Sequence, residues 1–241
     1  MFGLIFWTLL AGAAIPVGAL LASIEHVGSR WFETELRHTI IALGGGALLS
    51  AVALVLVPDG SSSVPAWSAP LILIAGGLAF MGLDIWISRR EGAGSQLVAM
   101  LADFVPEAVA LGATFVVDRR AGIFLAILIA LQNLPEGFNA FLELRSAEGK
   151  TRKQSHRAPR TLLLMFAGTA LLGPICGLLG HLLLEPGSPV LGLLMLFAAG
   201  GILYLTFQDI APQARLERAF APPMGAVLGF ALGLIGHLWV T

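Results

Sequence analysis

Apolar stretches of about twenty residues alternate with short polar breaks along this chain of 241 residues. A helix needs about 20 residues to cross the hydrocarbon core of a bilayer. The stretches are rich in Leu, Ala and Gly and do not alternate strictly with polar residues, which favours helices over strands. The spans are predicted at about 1–23, 38–58, 67–88, 93–117, 121–144, 161–184, 188–212 and 220–240. The pattern therefore predicts an all-α fold, a polytopic membrane bundle of eight transmembrane helices.

The breaks between the spans contain glycine, proline, serine and charged residues, which are typical of loops. Loops are predicted at 58–63, 89–92, 118–120, 185–188 and 221–223, and the longest polar stretch is 145–160. None of these breaks suggests a separate soluble domain. Residues 1–241 are therefore predicted to form a single transmembrane domain with short connections.

The composition supports a membrane location and excludes some partners. Hydrophobic residues make up 57% of the chain and charged residues 12%, whereas a soluble domain has about 25% charged residues. The formal net charge is −1, and no basic patch indicates binding to a nucleic acid. The lipid bilayer is therefore the expected surrounding of the helices.

The distribution of basic residues predicts the orientation in the membrane. If the N-terminus is external, all of the 14 Lys and Arg residues except Arg119 and Arg120 fall in internal loops. Internal loops of membrane proteins are enriched in Lys and Arg. Both termini are therefore predicted to be external, and the short loops favour a bacterial inner membrane.

Polar residues with matched spacing occur inside two of the predicted spans. Asp103 and Glu107 lie four residues apart in span 4, and Gln132 and Glu136 lie four residues apart in span 5. A proline stands immediately before each glutamate. Residues four apart share one face of a helix, and a charged side chain in the membrane is costly enough to suggest a function.

The chemistry of these side chains indicates a metal site. Each proline leaves a carbonyl of its helix without its usual partner. Two such helices facing each other would present three carboxylates and one amide around a single point, which suits a divalent cation. A lone carboxylate in a span is often only a protonated or hydrogen-bonded structural residue, but the matched pattern favours the metal site.

The motif at 132–137, Gln-Asn-Leu-Pro-Glu-Gly, resembles the signature of the ZIP (Zrt/Irt-like) metal transporters. The seventh span, from 197–204 through 209–212, is also similar to the seventh span of that family. Eight spans with external termini agree with the resemblance, which covers nearly the whole chain. It is specific in span 5, good in span 7 and partial in span 4.

The resemblance implies a first metal site formed by Asp103, Glu107, Gln132 and Glu136. A second, adjacent site would use the positions of Phe104, Asn133 and Gly173, and of these only Asn133 can coordinate a metal. One good site is therefore expected, with the second absent or badly weakened.

Two further features lie near the ends of spans. Gln208 and Asp209 in span 7 are candidate residues of the ion pathway, and a helix-end cap is the alternative for Asp209. His237 stands alone near the end of span 8 and is interpreted as structural or solvated.

The expected function is transport of a divalent metal ion, zinc, manganese or iron, which is the substrate, with no organic cofactor. An all-oxygen site favours harder ions such as manganese or ferrous iron, while raw affinity still rises toward zinc. The alternatives are a non-transporting sensor or scaffold of the same family and an intramembrane hydrolase in which Glu107 or Glu136 activates a metal-bound water. The family resemblance also makes a homodimer an expectation.

Overall fold

The computed structural model describes residues 1–24, 35–89, 95–150, 159–183, 185, 187–214 and 220–240. In these residues the chain is almost entirely helical and forms no strand. Long helices follow from the apolar sequence, because a helix satisfies all its backbone N–H and C=O groups internally and lipid offers them no other partner.

The described residues form eight helical segments, two of which contain a π-helical turn and one of which is broken once. They are α1 (Phe2–Ile24), α2 (Arg37–Ala51, Val52–Leu56 and Val57–Ser62), α3 (Ser68–Ser88), α4 (Ser95–Val117), α5 (Arg119–Lys150), α6 (Pro159–Ala170 and Leu172–Leu183), α7 (Pro189–Leu205, Thr206–Ile210 and Ala211–Gln213) and α8 (Ala221–Val240).

The segments confirm the predicted all-α membrane fold. Within the described ranges, seven helices are long and apolar enough to cross a bilayer, and α4 contains the shorter apolar stretch Phe104–Phe115. The α4 helix itself has 23 residues, so it is long enough to span. Of the two α4 residues that were predicted to bind metal, Glu107 lies inside this stretch and Asp103 immediately before it.

Three of the predicted loops are largely helical, and α5 also continues through residues 145–150 of the long polar stretch. Residues 119 and 120 of the predicted loop 118–120 begin α5. Residues Val57–Ser62 continue α2, and the hydroxyls of Ser61 and Ser62 donate to the carbonyl oxygens of Pro58 and Asp59 at 3.0 and 2.8 Å. These serines return their hydrogen bonds to the helix, so they do not end it. Residues 221–223 begin α8, because the first turn of a helix has no N–H bond for a proline to remove.

The packing of the helices divides the bundle into two equivalent halves around α4 and α5. Helix α1 packs on α5 as α6 packs on α4, and α2 packs on α8 as α7 packs on α3. The contact of α2 with α5 is likewise matched by that of α7 with α4. Helices α1, α2 and α3 correspond to α6, α7 and α8, five spans later, and α5 corresponds to its neighbour α4. Because each pair is an odd number of spans apart, the two halves cross the membrane in opposite directions, an arrangement common in transporters.

The π-helical turns in α2 and α7 fit this equivalence. One covers Val52–Leu56 and the other Thr206–Ile210, and each ends two residues before a proline, Pro58 or Pro212. A proline ring crowds the carbonyl four residues earlier, and a wider turn is one way for a helix to accommodate it. Turns of this kind occur mostly at functional sites.

Backbone contacts fix α1 against α5 beside the predicted site. A Cβ atom at Gly18 would collide with the carbonyl oxygen of Leu134, and a Cβ atom at Gly137 would collide with that of Ile15. The absence of side chains at these two glycines lets the helices approach to backbone contact, as in other membrane bundles. Leu134 and Gly137 flank Pro135 and Glu136, so this contact holds the polar segment of α5 in place.

Replacing Gly137 by alanine should therefore force α1 and α5 apart. We expect Gly137→Ala to lower stability by roughly 1–3 kcal/mol, the usual cost of inserting a methyl group into a packed core. Thermal unfolding in detergent, followed by size-exclusion chromatography of the heated samples, measures the change. Gly82→Ala and Gly168→Ala are matched controls, because no atom lies within 4 Å of a Cβ at either glycine. Equal melting temperatures for all three variants would contradict the close contact.

Candidate metal centre

The candidate centre lies where α4 and α5 pack against each other, and each helix carries one internal proline there. Pro106 lies within α4 and Pro135 within α5. A proline has no N–H, so the carbonyl groups of Ala102 and Leu131, four residues earlier, lose their usual helical hydrogen bond. Both helices therefore offer a backbone oxygen in addition to their polar side chains.

The structure brings Glu107 and Gln132 together, as the sequence predicted. The Gln132 Nε2 group donates a hydrogen bond to Glu107 Oε2 at 2.6 Å. Both side chains are buried, with 4% and 2% of their surfaces exposed. A buried carboxylate needs a partner, and this amide supplies one across the α4–α5 interface.

The other two predicted ligands lie one helical turn away from this pair. Glu136 follows Gln132 by one turn on α5 and is half-buried. Asp103 precedes Glu107 by one turn on α4, and its side chain lies outside the described residues. The helix positions are those that the spacing predicted, and the joint coordination of one ion by all four residues stays a prediction.

Asn133 turns away from this pair toward α1. Its Nδ2 group donates to the carbonyl oxygen of Ala11 at 2.9 Å, and the residue has no exposed surface. Among the described residues, its Oδ1 atom has no hydrogen-bond partner. A buried amide oxygen of this kind is rare, and it can accept a cation or a proton donor.

The two other positions of the weakened second site are filled by packing. Phe104 is 1% exposed, and its Cζ atom lies 3.1 Å from a Cβ built at Gly12 and 3.3 Å from one built at Gly173. A Cβ at Gly173 would also collide with the carbonyl oxygen of Thr8. The phenyl ring and the backbone of α1 therefore occupy the space where ligands from α4 and α6 would have to stand.

The remaining predicted residues, Gln208 and Asp209, lie near the C-terminal end of α7. Gln208 is exposed and belongs to the π-helical turn Thr206–Ile210. Asp209 is in the same turn, and its side chain is outside the described residues. Across the described part of the chain, no three or more His, Cys, Asp or Glu side chains gather closely enough to hold a metal ion.

One polar feature was missed by reasoning from the sequence. A cavity of about 360 Å³ lies at the end of the bundle where α2, α4 and α8 end and α5 and α7 begin. Asp59 and His237 line it together with Thr114 and Asp118. Asp59 had been assigned to a loop and His237 to a solvated span end, and only the fold brings the two into one cavity.

Comparison with known proteins gives consistent relationships. A family model described as "ZIP Zinc transporter" matches residues 88–237, which include α4 through most of α8. The human and the Pongo abelii proteins named "Zinc transporter SLC39A7" are each 30% identical over 161 residues, and the alignment covers 64% of this chain. It covers 31% of those proteins, so the match spans about a third of their length. The "Zinc transporter ZupT" of Chlorobium phaeovibrioides is 23% identical over an alignment 241 positions long, which covers 86% of this chain and 86% of that protein.

The pairing of Glu107 with Gln132 predicts how charge at this position affects stability. Gln132→Glu would place two carboxylates in contact, and we expect it to lower stability by roughly 1–3 kcal/mol, the cost of a badly paired buried group. Added zinc should raise the melting temperature of this variant more than that of the unsubstituted protein, because a cation relieves the repulsion.

Glu107→Gln is the reciprocal control, because it removes the charge and keeps the shape. It should be stable without metal and gain little from zinc. Thermal unfolding with and without ZnCl₂ measures both variants. A zinc-induced shift that is equal in Gln132→Glu and Glu107→Gln would contradict a metal centre at this pair.

Proposed function

Because the chain belongs to the ZIP zinc transporter family, we propose that it carries a divalent metal ion across the membrane through a site between α4 and α5. The observation that carries the proposal is the buried contact of Glu107 with Gln132, which joins polar side chains of two helices inside a predominantly apolar bundle. The names of the relatives agree with this proposal, since all three are called zinc transporters.

The ligands of the ion are proposed to be Asp103, Glu107, Gln132 and Glu136. All four offer oxygen atoms, which manganese and ferrous iron accept readily, while zinc is favoured by its higher affinity for most sites. The carbonyl groups freed by Pro106 and Pro135 can complete the coordination shell. Zinc, manganese and iron are therefore the ions to test.

A single ion is proposed for each chain. The ring of Phe104 and the backbone contact at Gly173 fill the space of a second site, and only Asn133 offers an unpartnered oxygen there. The amide nitrogen of the same side chain is bonded to the carbonyl oxygen of Ala11, which ties this side chain to α1. We therefore assign Asn133 to the support of the ion site and not to a second metal.

An ion can reach the site only if the apolar side chains next to it, toward the C-terminal end of α4, move apart. Leu111 follows Glu107 by one turn on α4, Leu128 precedes Gln132 by one turn on α5, and both are essentially without exposed surface. Apolar constrictions exclude hydrated ions. The inverted equivalence of the two halves gives a physical basis for opening alternately to each side of the membrane.

The orientation and the assembly are also proposals. We propose that both termini are external, because the loops that carry most of the basic residues are then internal. In this orientation the ends of α2, α4 and α8 are external, and Gln208 and Asp209 lie toward the internal end, on the path by which the ion leaves. A homodimer is implied by the resemblance to the family.

A second candidate is a relative that binds metal and does not transport it. The filled second site favours this alternative, because loss of ligands is a common route to a sensor or scaffold. It predicts metal binding without flux, so the same measurement separates the two functions.

The test is metal uptake into proteoliposomes, comparing zinc, manganese, iron and cadmium. The rate of uptake should be at least about tenfold lower in Glu107→Ala and in Glu136→Ala than in the unsubstituted protein, since each change removes one proposed ligand of the ion. Glu35→Gln, at the start of the second helical region and away from the centre, is the control and should transport normally.

Each outcome decides between the candidates. Uptake that depends on Glu107 and Glu136 supports the transporter and ranks its ions. Metal binding without uptake of any ion supports the sensor or scaffold. Uptake unchanged in both alanine variants would overturn the assignment of the site.

A further inference from the structure

The external cavity lies directly in line with the candidate metal centre. Thr114, which lines the cavity, follows Glu107 by two helical turns on α4 and therefore lies on the same face, about 10 Å further along the axis. Ala121, on the opposite wall, precedes Gln132 by three turns on α5 and also lies on its face. The faces of α4 and α5 that carry Glu107 and Gln132 therefore also line this cavity.

Only a thin apolar layer separates the cavity from the buried pair. Leu111 and Leu128 are one turn above Glu107 and Gln132, and their side chains are 0% and 1% exposed. Phe124, which lines the cavity, is 6% exposed and lies one turn above Leu128 on α5. An ion resting in the cavity would be one gating step away from the inner ligands.

Two metal-binding side chains from different helices line this cavity. Asp59 is at the end of α2 and exposed, and His237 is near the end of α8 and half-buried. Both side chains face this one cavity, although they come from different helices. Imidazole and carboxylate together are the ligand types that divalent transition metals use most.

We propose that Asp59 and His237 form an external loading site that captures a hydrated divalent transition-metal ion and passes it to the centre at Glu107 and Gln132. The proposal rests on the proposed function, since a loading site needs a pathway to load. It adds a second binding site on the pathway. One of its two ligands, His237, binds through nitrogen, whereas the four proposed inner ligands bind through oxygen.

The small number of ligands suits this role. Two protein ligands leave most of the hydration shell in place, so the ion is held weakly. A pathway conducts only if each site binds strongly enough to fill and weakly enough to release. The inner centre, with four proposed ligands, then receives the ion in exchange for its remaining waters.

The carboxylate of Asp118 has a different role in the same cavity. Its Oδ1 atom accepts a hydrogen bond from the backbone N–H of Arg120 at 2.7 Å, which caps the start of α5. Asparagine caps a helix as well as aspartate does. Asp118→Asn therefore removes one negative charge from the cavity and leaves the helix start intact, which makes it a matched control.

The test measures initial rates of zinc and manganese uptake into proteoliposomes over a range of concentrations. We expect Asp59→Asn to raise the KM for both ions roughly three- to fivefold, the size of a solvent-exposed charge interaction, with little change in the maximal rate. His237→Gln should raise the KM for zinc more than that for manganese, because imidazole favours zinc. Asp118→Asn should leave both KM values unchanged, and Asp59→Glu should retain zinc affinity.

Unchanged KM values in both Asp59→Asn and His237→Gln would overturn the loading site. So would an equal rise in Asp118→Asn, which would indicate a general effect of charge in the cavity. If the unsubstituted protein shows no uptake, the proposed function fails, and equilibrium binding of radioactive zinc to Glu107→Ala still decides the inference. Glu107→Ala should still bind zinc weakly, and this binding should disappear when Asp59→Asn and His237→Gln are added. Weak binding that survives these two further changes would contradict the loading site.

Discussion

A carboxylate buried inside a membrane bundle must be paired, and the hydrogen bond from Gln132 to Glu107 satisfies this constraint in the described part of the chain. An unpaired charge there would cost several kcal/mol. The bond also couples α4 to α5, the two helices on which both halves of the bundle pack. A cation that replaced the amide as the partner of this carboxylate would therefore also change the interface between the two central helices.

The groups around Glu107 and Gln132 allow two polar side chains to be buried inside the bundle. Prolines in α4 and α5 free backbone oxygens beside the side chains, and the contact of Gly18 and Gly137 with backbone carbonyls holds α5 firmly against α1. On the side of α6, the ring of Phe104 closes the space with apolar surface. The result is a small polar region inside close packing, in which few arrangements of water or ions are available.

Much of this could be predicted from the sequence, because the membrane restricts what a long apolar stretch can become. The spans, the all-helical fold and the partnership of Glu107 with Gln132 followed from length, spacing and the proline–glutamate pattern. The π-helical turns before Pro58 and Pro212 could not be predicted, since they depend on how each proline is accommodated in a packed helix. The continuation of α2 through Val57–Ser62 was also missed, because its serines and glycine are typical of a turn in water. The meeting of Asp59 with His237 depends on the packing of α2 against α8, which no local pattern in either segment indicates.

The pairing of the helices has a consequence for how the protein is made. The most extensive contacts join α1 to α5, α2 to α8, α3 to α7 and α4 to α6, so the early helices find their main partners only in later parts of the chain. During synthesis, α1 enters the bilayer well before α5 is translated, and its glycine face must meanwhile contact lipid or a helper protein. The bundle can therefore be completed only after the last helix has been inserted, and a ribosome that stalls before α8 leaves α2 without its main partner.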